Sequence, residues 1–203
     1  MRRGRLRDIR DCCFHLTPRC QEGRFLLRFK RDRRNYLDRL RESIERTPVE
    51  VLDYVLTSNH VHLLLWAEDG AAVSVAMQYL QGTTSRDYNR RKKRRGAYWA
   101  DRFHPTLVQT GPHLSRCLFY MALNMVRARA VSHPSEWETS GYRELTGEAG
   151  DAADGSGIIR LERLLWCLGM PGEEAHLTRV ETDLVDKHDT LLPVIPPSWS
   201  GSP

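Results

Sequence analysis

The sequence predicts an α+β fold: a ferredoxin-like split βαβ core in the order β-α-β-β-α-β, with an antiparallel sheet and one appended helix. Three observations predict it. Two runs of strand-forming residues, 49–56 and 60–66, are separated by a Thr57-Ser58-Asn59 turn signal and read as a hairpin. Segments with apolar residues three or four apart lie on either side of that hairpin. Two further strand-like runs, 12–17 and 106–110, lie outside those helices and complete a four-stranded sheet.

Each element has its own local reason. Cys12-Cys13-Phe14-His15-Leu16-Thr17 suits a strand and has no helical stripe, and Gln21-Glu22-Gly23-Arg24 follows it as a turn. Over 32–46 the apolar positions are Tyr36, Leu37, Leu40 and Ile44, the spacing of an amphipathic helix, and Thr47-Pro48 stops it. Val49, Val51, Asp53 and Val55 alternate with Glu50, Leu52, Tyr54 and Leu56 in the second strand. After the third strand, Glu68-Asp69-Gly70 turns the chain into a helix over 72–80, which the polar residues to Arg95 prolong. The fourth strand ends at Gly111-Pro112. The last helix of the domain is predicted over 113–131, with Leu114, Cys117, Leu118, Met121, Met125 and Val126 as its apolar stripe. Residues 1–145 then form one domain. Residues 146–203 read as an acidic appendage: a Gly/Asp/Ser-rich linker, a short helix over 158–168 stopped by Gly169, and a Pro/Ser-rich, disordered tail over 193–203.

Composition narrows the function. No run approaches ~18 apolar residues, so no membrane span is expected, and the basic start MRRGRLRDIRD lacks the apolar stretch of a secretory signal. Five scattered cysteines, an odd number, point to reduced thiols in a cytoplasm. The net charge of +5 conceals an asymmetry: residues 1–130 carry 26 Lys and Arg against 13 Asp and Glu, and residues 131–203 carry 5 against 13. A basic body rich in Arg, whose planar fork matches phosphate oxygens, points to a nucleic-acid partner. The densest run is Arg86, Arg90, Arg91, Lys92, Lys93, Arg94 and Arg95 within ten positions, flanked by Tyr88, Tyr98 and Trp99. Phosphate contacts and base-stacking rings come together there.

His60-Val61-His62 places two imidazoles on one face of a strand, where they can grip one metal ion. Alone the pair is a weak signal, since half-exposed strand histidines are common. The helix over 113–131 adds context, because Tyr120 and Asn124 are four residues apart and share a face. A tyrosine hydroxyl attacks phosphorus only where positive charge stabilises it, and an asparagine amide offers a neutral third ligand. The ordinary alternative for Tyr120 is a core aromatic with a bonded hydroxyl.

In this order these residues resemble the single-tyrosine HUH transposases, and most of all the REP-associated tyrosine transposases. Ser58-Asn59-His60-Val61-His62-Leu63-Leu64 is similar to their HUH motif, and Trp99-Ala100-Asp101-Arg102-Phe103 to their W-x-x-R-F segment. Tyr120-Met121-Ala122-Leu123-Asn124-Met125-Val126-Arg127-Ala128 is similar to their tyrosine helix, Y-I-x-x-N-P-V-R-A. The likeness runs from about Phe14 to Tyr142. Met125 stands where many relatives have Pro, so an uninterrupted helix is expected.

The resemblance implies a ferredoxin-like catalytic core and a chemistry. His60, His62 and Asn124 would hold Mg²⁺ or Mn²⁺, and Tyr120 would attack single-stranded or hairpin DNA to give a 5′-phosphotyrosine link, later reversed in strand transfer. Trp99, Arg102, Arg127, Arg129 and the 86–95 run would grip the DNA. The protein would act in the cytoplasm at the bacterial nucleoid, as a monomer or homodimer. Two other readings remain open: a non-catalytic hairpin-binding regulator, and a hydrolase that uses water on the two-histidine site.

Overall fold

The computed structural model describes residues 6–147 and 157–170. Strand β1 (Arg10–Leu16) leads through a long loop into helix α1 (Lys30–Arg46). The hairpin of β2 (Val49–Leu56) and β3 (Val61–Asp69) follows, then helix α2 (Gly70–Arg91) and strand β4 (Pro105–Val108). All pairings are antiparallel, in the order β2-β3-β1-β4. Four shorter helices come after: α3 (Pro112–Ala122), α4 (Asn124–Arg127), α5 (Tyr142–Leu145) and α6 (Leu161–Leu168). The predicted β-α-β-β-α-β order and antiparallel sheet are present. The tail over 193–203 and most of the linker lie outside the described residues. Among the described residues no helix is long and apolar enough to cross a membrane.

Helices cover both faces of the sheet. Phe14, Leu16, Leu63 and Leu65 pack against Tyr36, Leu37 and Leu40 of α1 and Met77 and Leu80 of α2. Cys13, Leu64, Trp66 and Val108 point the other way, onto Leu114, Cys117 and Met121 of α3 and Leu164 and Cys167 of α6. A sheet buried on both faces needs apolar residues at successive positions, which is why β3 reads Val61, then Leu63 to Ala67 without alternation. Helix α6, which lies beyond residue 145, packs into the same core as α3.

Three elements differ from the sequence expectation. In β2 the simple alternation fails, because the register shifts between Val51 and Asp53. One extra residue reverses the pleat. Val49 and Val51 share a core with Tyr54 and Leu56, while Leu52 and Val55 face the opposite layer. Helix α2 stops at Arg91 rather than running to residue 95. Lys93 has a left-handed φ of 49°, its N–H bonds the carbonyl of Arg90 (3.2 Å), and Arg94 N–H bonds that of Asn89 (2.9 Å). Those two bonds make a Schellman cap.

The helix predicted over 113–131 is two helices. Leu123, with ψ of 1°, interrupts it, and Asn124 opens α4. The break comes without a proline. Asparagine is a weak helix-interior residue, and here its side chain is held by His62. A second Schellman cap ends α4, with Arg129 at φ 56° and N–H bonds from Arg129 to Val126 (2.8 Å) and from Ala130 to Met125 (3.0 Å).

Candidate active site

His60 lies in the β2–β3 turn, one residue before β3 begins. The turn is closed by Thr57 N–H on the His60 carbonyl (3.0 Å), while Thr57 Oγ1 accepts from the N–H groups of Asn59 (3.3 Å) and His60 (3.1 Å). His60 Nδ1–H donates to Asn59 Oδ1 at 2.7 Å. An amide oxygen only accepts, so the His60 proton sits on Nδ1 and its lone pair on Nε2.

His62 is fixed by two partners. Asn124 Nδ2 donates to its Nε2 at 3.1 Å, and its Nδ1 lies 3.0 Å from Nε2 of His15 on β1. With Nε2 accepting, the His62 proton is on Nδ1 and is donated to His15. The His15 and His62 rings stack, 5.1 Å between centroids and 7° between planes. His60 stands edge-on to His62 at 5.0 Å. The Nε2 lone pair of His60 faces away from its Asn59 bond and that of His62 accepts from the Asn124 amide, and two neutral imidazoles with one amide suit a divalent cation. Among the described residues no group of three or more His, Cys, Asp or Glu side chains is placed to hold a metal ion. A cation here would rest on His60, His62 and the Asn124 amide.

Tyr120 sits in the last turn of α3, its ring 5.5 Å from that of His62 and 6.2 Å from that of His15, perpendicular to both. Only 3% of it is exposed. Burial raises its pKa, while the positive charges of Arg127 and Arg19 and a hydrogen bond with Asn124 pull it back. The Arg127 guanidinium lies 5.5 Å from the ring centroid. Burial pushes His15 and His60 down to about 4, and pushes His62 well below its ordinary value, with His15 and His60 adding to the effect. All three imidazoles are neutral near pH 7, the form that ligates a metal.

The fold thus brings together Tyr120, His60, His62, Asn124 and Arg127. Two residues that the sequence did not single out join them. His15 faces His62 as a diagonal cross-strand neighbour, since His15 pairs with Leu64 in the sheet. Only the β1–β3 register marks it. Arg19 is exposed, pairs through its backbone with His60, and its charge bears on His60, His62 and Tyr120. In so arginine-rich a chain nothing local distinguishes it.

The expected nucleic-acid contacts separate into different environments. Trp99 is a core residue rather than a stacking surface. It is 9% exposed, its indole N–H donates to the Gln81 carbonyl (3.0 Å), and its ring meets Tyr36 and Tyr98 edge-on. Arg91 pairs with buried Asp32, Arg90 with Asp87 (2.8 Å), and Arg94 with Asn89 (2.9 Å) and the Ala97 carbonyl (2.7 Å). Arg86, Lys92, Lys93, Arg95, Arg102, Arg127 and Arg129 are exposed. The loop carrying Arg102 is joined to the site by the Ala100 N–H bond to the Arg19 carbonyl (2.9 Å).

Comparison with known proteins gives a family and a fold. A family model described as "Transposase IS200 like" matches residues 8–120, more than half of the chain, taking in all four strands and ending on Tyr120. No curated protein matches the sequence. Among solved structures, one of a REP-associated tyrosine transposase bound to a REP hairpin is similar, with a TM-score of 0.57 and 15% sequence identity. The match covers 73% of this chain and 87% of that one.

Proposed function

Because this chain belongs to the IS200-like transposase family, we propose that it nicks and rejoins single-stranded DNA beside a hairpin, with Tyr120 as the nucleophile. The observation that carries the reading is the convergence of Tyr120 and Asn124 with His60 and His62, from two distant stretches of the chain, beside Arg127. A nicking and joining role also agrees with the basic body of the protein.

His60 and His62 would hold a divalent cation through Nε2, with Asn124 turning its amide oxygen toward it. Such a cation supplies Lewis-acid polarisation of the scissile phosphate. The chain's own groups do the rest. Arg127 and Arg19 favour the phenolate of Tyr120 against the burial that opposes it. The Tyr120 oxygen forms a bond to phosphorus, the P–O3′ bond breaks, and the departing oxygen takes a proton to become a 3′-hydroxyl. The product is a 5′-phosphotyrosine. Attack by the 3′-hydroxyl of another strand reverses the step and returns Tyr120, so no nucleotide cofactor is needed. His15 keeps the His62 proton on Nδ1, away from the ligating nitrogen.

The test is incubation with labelled, hairpin-bearing single-stranded DNA and Mn²⁺, followed by a denaturing gel. Wild-type protein should carry DNA covalently. Tyr120→Phe should bind the same DNA and form no adduct, because no other group accepts the phosphoryl link. Cleavage at a near-normal rate by Tyr120→Phe would identify a water-using hydrolase. Binding without an adduct in the wild type would identify a non-catalytic binder.

A further inference from the structure

The loop between β1 and α1 carries a feature that the transposase motifs do not explain. Its sequence, Phe25-Leu26-Leu27-Arg28-Phe29, divides by exposure: Leu26 and Leu27 are buried, while Phe25 is 63% and Phe29 58% exposed. Two phenylalanines four residues apart thus leave most of their apolar surface in water. A floppy loop would fold them in, but this loop is pinned. Gln21 N–H bonds the Tyr98 carbonyl (2.8 Å), Cys20 N–H the Asn59 carbonyl (2.7 Å) and Leu27 N–H the Ser58 carbonyl (2.9 Å). Leu27 beneath them is an anchor in the main core.

The loop is also continuous with the candidate active site. Asn59 bridges the two: its Nδ2 donates to the Gly23 carbonyl (3.3 Å) while its Oδ1 accepts from His60 Nδ1 (2.7 Å). The surroundings of the Phe29 ring are cationic. The Arg28 guanidinium lies 5.8 Å and the Lys92 ammonium 5.7 Å from the Phe29 ring centroid, and Arg19 lies exposed at the start of the same loop. Exposed aromatic faces set among positive charges are what an unpaired nucleic-acid strand requires: rings for its bases, cations for its phosphates.

We propose that Phe25 and Phe29 are a stacking platform for unpaired bases of the single strand that reaches the His60–Tyr120 site. This rests on the single-stranded-DNA reading above and adds where the strand lies. The platform grips bases of any identity, since every base has a stacking face. It accounts for two side chains that contribute little to the core, and it makes Lys92 a phosphate contact beside Phe29.

The test measures binding of the full chain to two oligonucleotides of equal length, one with bases and one abasic, so that both carry the same phosphates. Wild-type protein should prefer the oligonucleotide with bases. Phe25→Ala and Phe29→Ala should each lower affinity for it by about 5- to 150-fold, the range for loss of one stacked base. Affinity for the abasic strand and the slope of log affinity against log salt should not change. Phe29→Tyr should restore binding, and Phe29→Leu, apolar but without a ring, should not. Equal losses on both oligonucleotides, or none, would overturn the platform. If the alanine variants lose base preference while wild type forms no covalent adduct, the platform stands and the nicking reading fails. If adducts form normally and base preference is untouched, the nicking reading stands and the platform fails. Absence of any single-strand binding by wild type would overturn both.

Discussion

Asp53 is a buried carboxyl, and its replacement by Asn makes the sharpest thermodynamic prediction. The β2 bulge turns Asp53 inward, where it is nearly inaccessible, and its Oδ1 accepts the Tyr54 N–H at 2.7 Å. Burial pushes its pKa from 3.8 up to about 8; the Tyr54 N–H opposes the shift and the neighbouring Glu144 adds to it. Below 3.8 both folded and unfolded chains hold the proton. Between 3.8 and 8 only the folded chain holds it, so stability falls as pH rises through this window, and above 8 the loss is complete. One proton is worth 1.36 kcal/mol per pH unit. From about pH 5 to about pH 8 the wild type therefore loses several kcal/mol, on the order of one proton's linkage over about three pH units, that Asp53→Asn does not, since the amide keeps the acceptor for Tyr54 and has no proton to lose. The histidines, whose lowered pKa values act in the opposite direction below pH 6.5, are common to both proteins and cancel in the difference. With a urea m-value of about 2 kcal/mol/M, the difference in midpoint between variant and wild type should grow by roughly 2 M across that range. A difference in midpoint that does not move with pH would refute the buried-acid account.

Four further expectations follow from the site and its surface. His15→Leu strands the His62 Nδ1–H without an acceptor, which should cost ~1–3 kcal/mol of stability and about 10- to 100-fold in Mn²⁺ affinity. His15→Gln should recover most of both, and NMR of the His62 ring nitrogens should show its proton leaving Nδ1 in the Leu variant alone. Arg129→Gly relieves a left-handed residue in the α4 cap and should raise stability by about 1 kcal/mol in urea titration; a simultaneous loss of DNA affinity would show that the side chain also grips phosphate. Charge reversal at Arg86, Lys93 and Arg95, exposed residues whose side chains pair with no other among the described residues, should weaken DNA binding and flatten its salt dependence. An unchanged slope would remove them from the interface. Tyr120→Phe should leave the stability measured by urea titration within ~1 kcal/mol of wild type while abolishing the adduct, and a larger loss would mean that its hydroxyl serves the core.

The amphipathic period of Tyr36, Leu37, Leu40 and Ile44, the hairpin around Thr57-Ser58-Asn59 and the strand runs at both ends were legible because each is a pattern within a few neighbouring residues. The same holds for His60, His62, Tyr120 and Asn124 as a set of residue types. What joined them was not local. His15 and His62 are 47 positions apart and meet through the β1–β3 register, and Asn124 reaches His62 across 62 positions, just after the break at Leu123 that follows Tyr120. The bulge that buries Asp53 depends on how β2 pairs with β3. Trp99 reads in the sequence as a partner for DNA, yet the packing of α1 and α2 encloses it. The basic run reads as a uniform charge, yet Asp32 in the first turn of α1 engages Arg91, and Asp87 one turn earlier in α2 engages Arg90. Propensity and periodicity are properties of a short segment, so most elements and the set of reactive residue types can be read along the chain. Register, burial and charge pairing depend on which segments meet, so which of those groups act together follows from the packed fold alone.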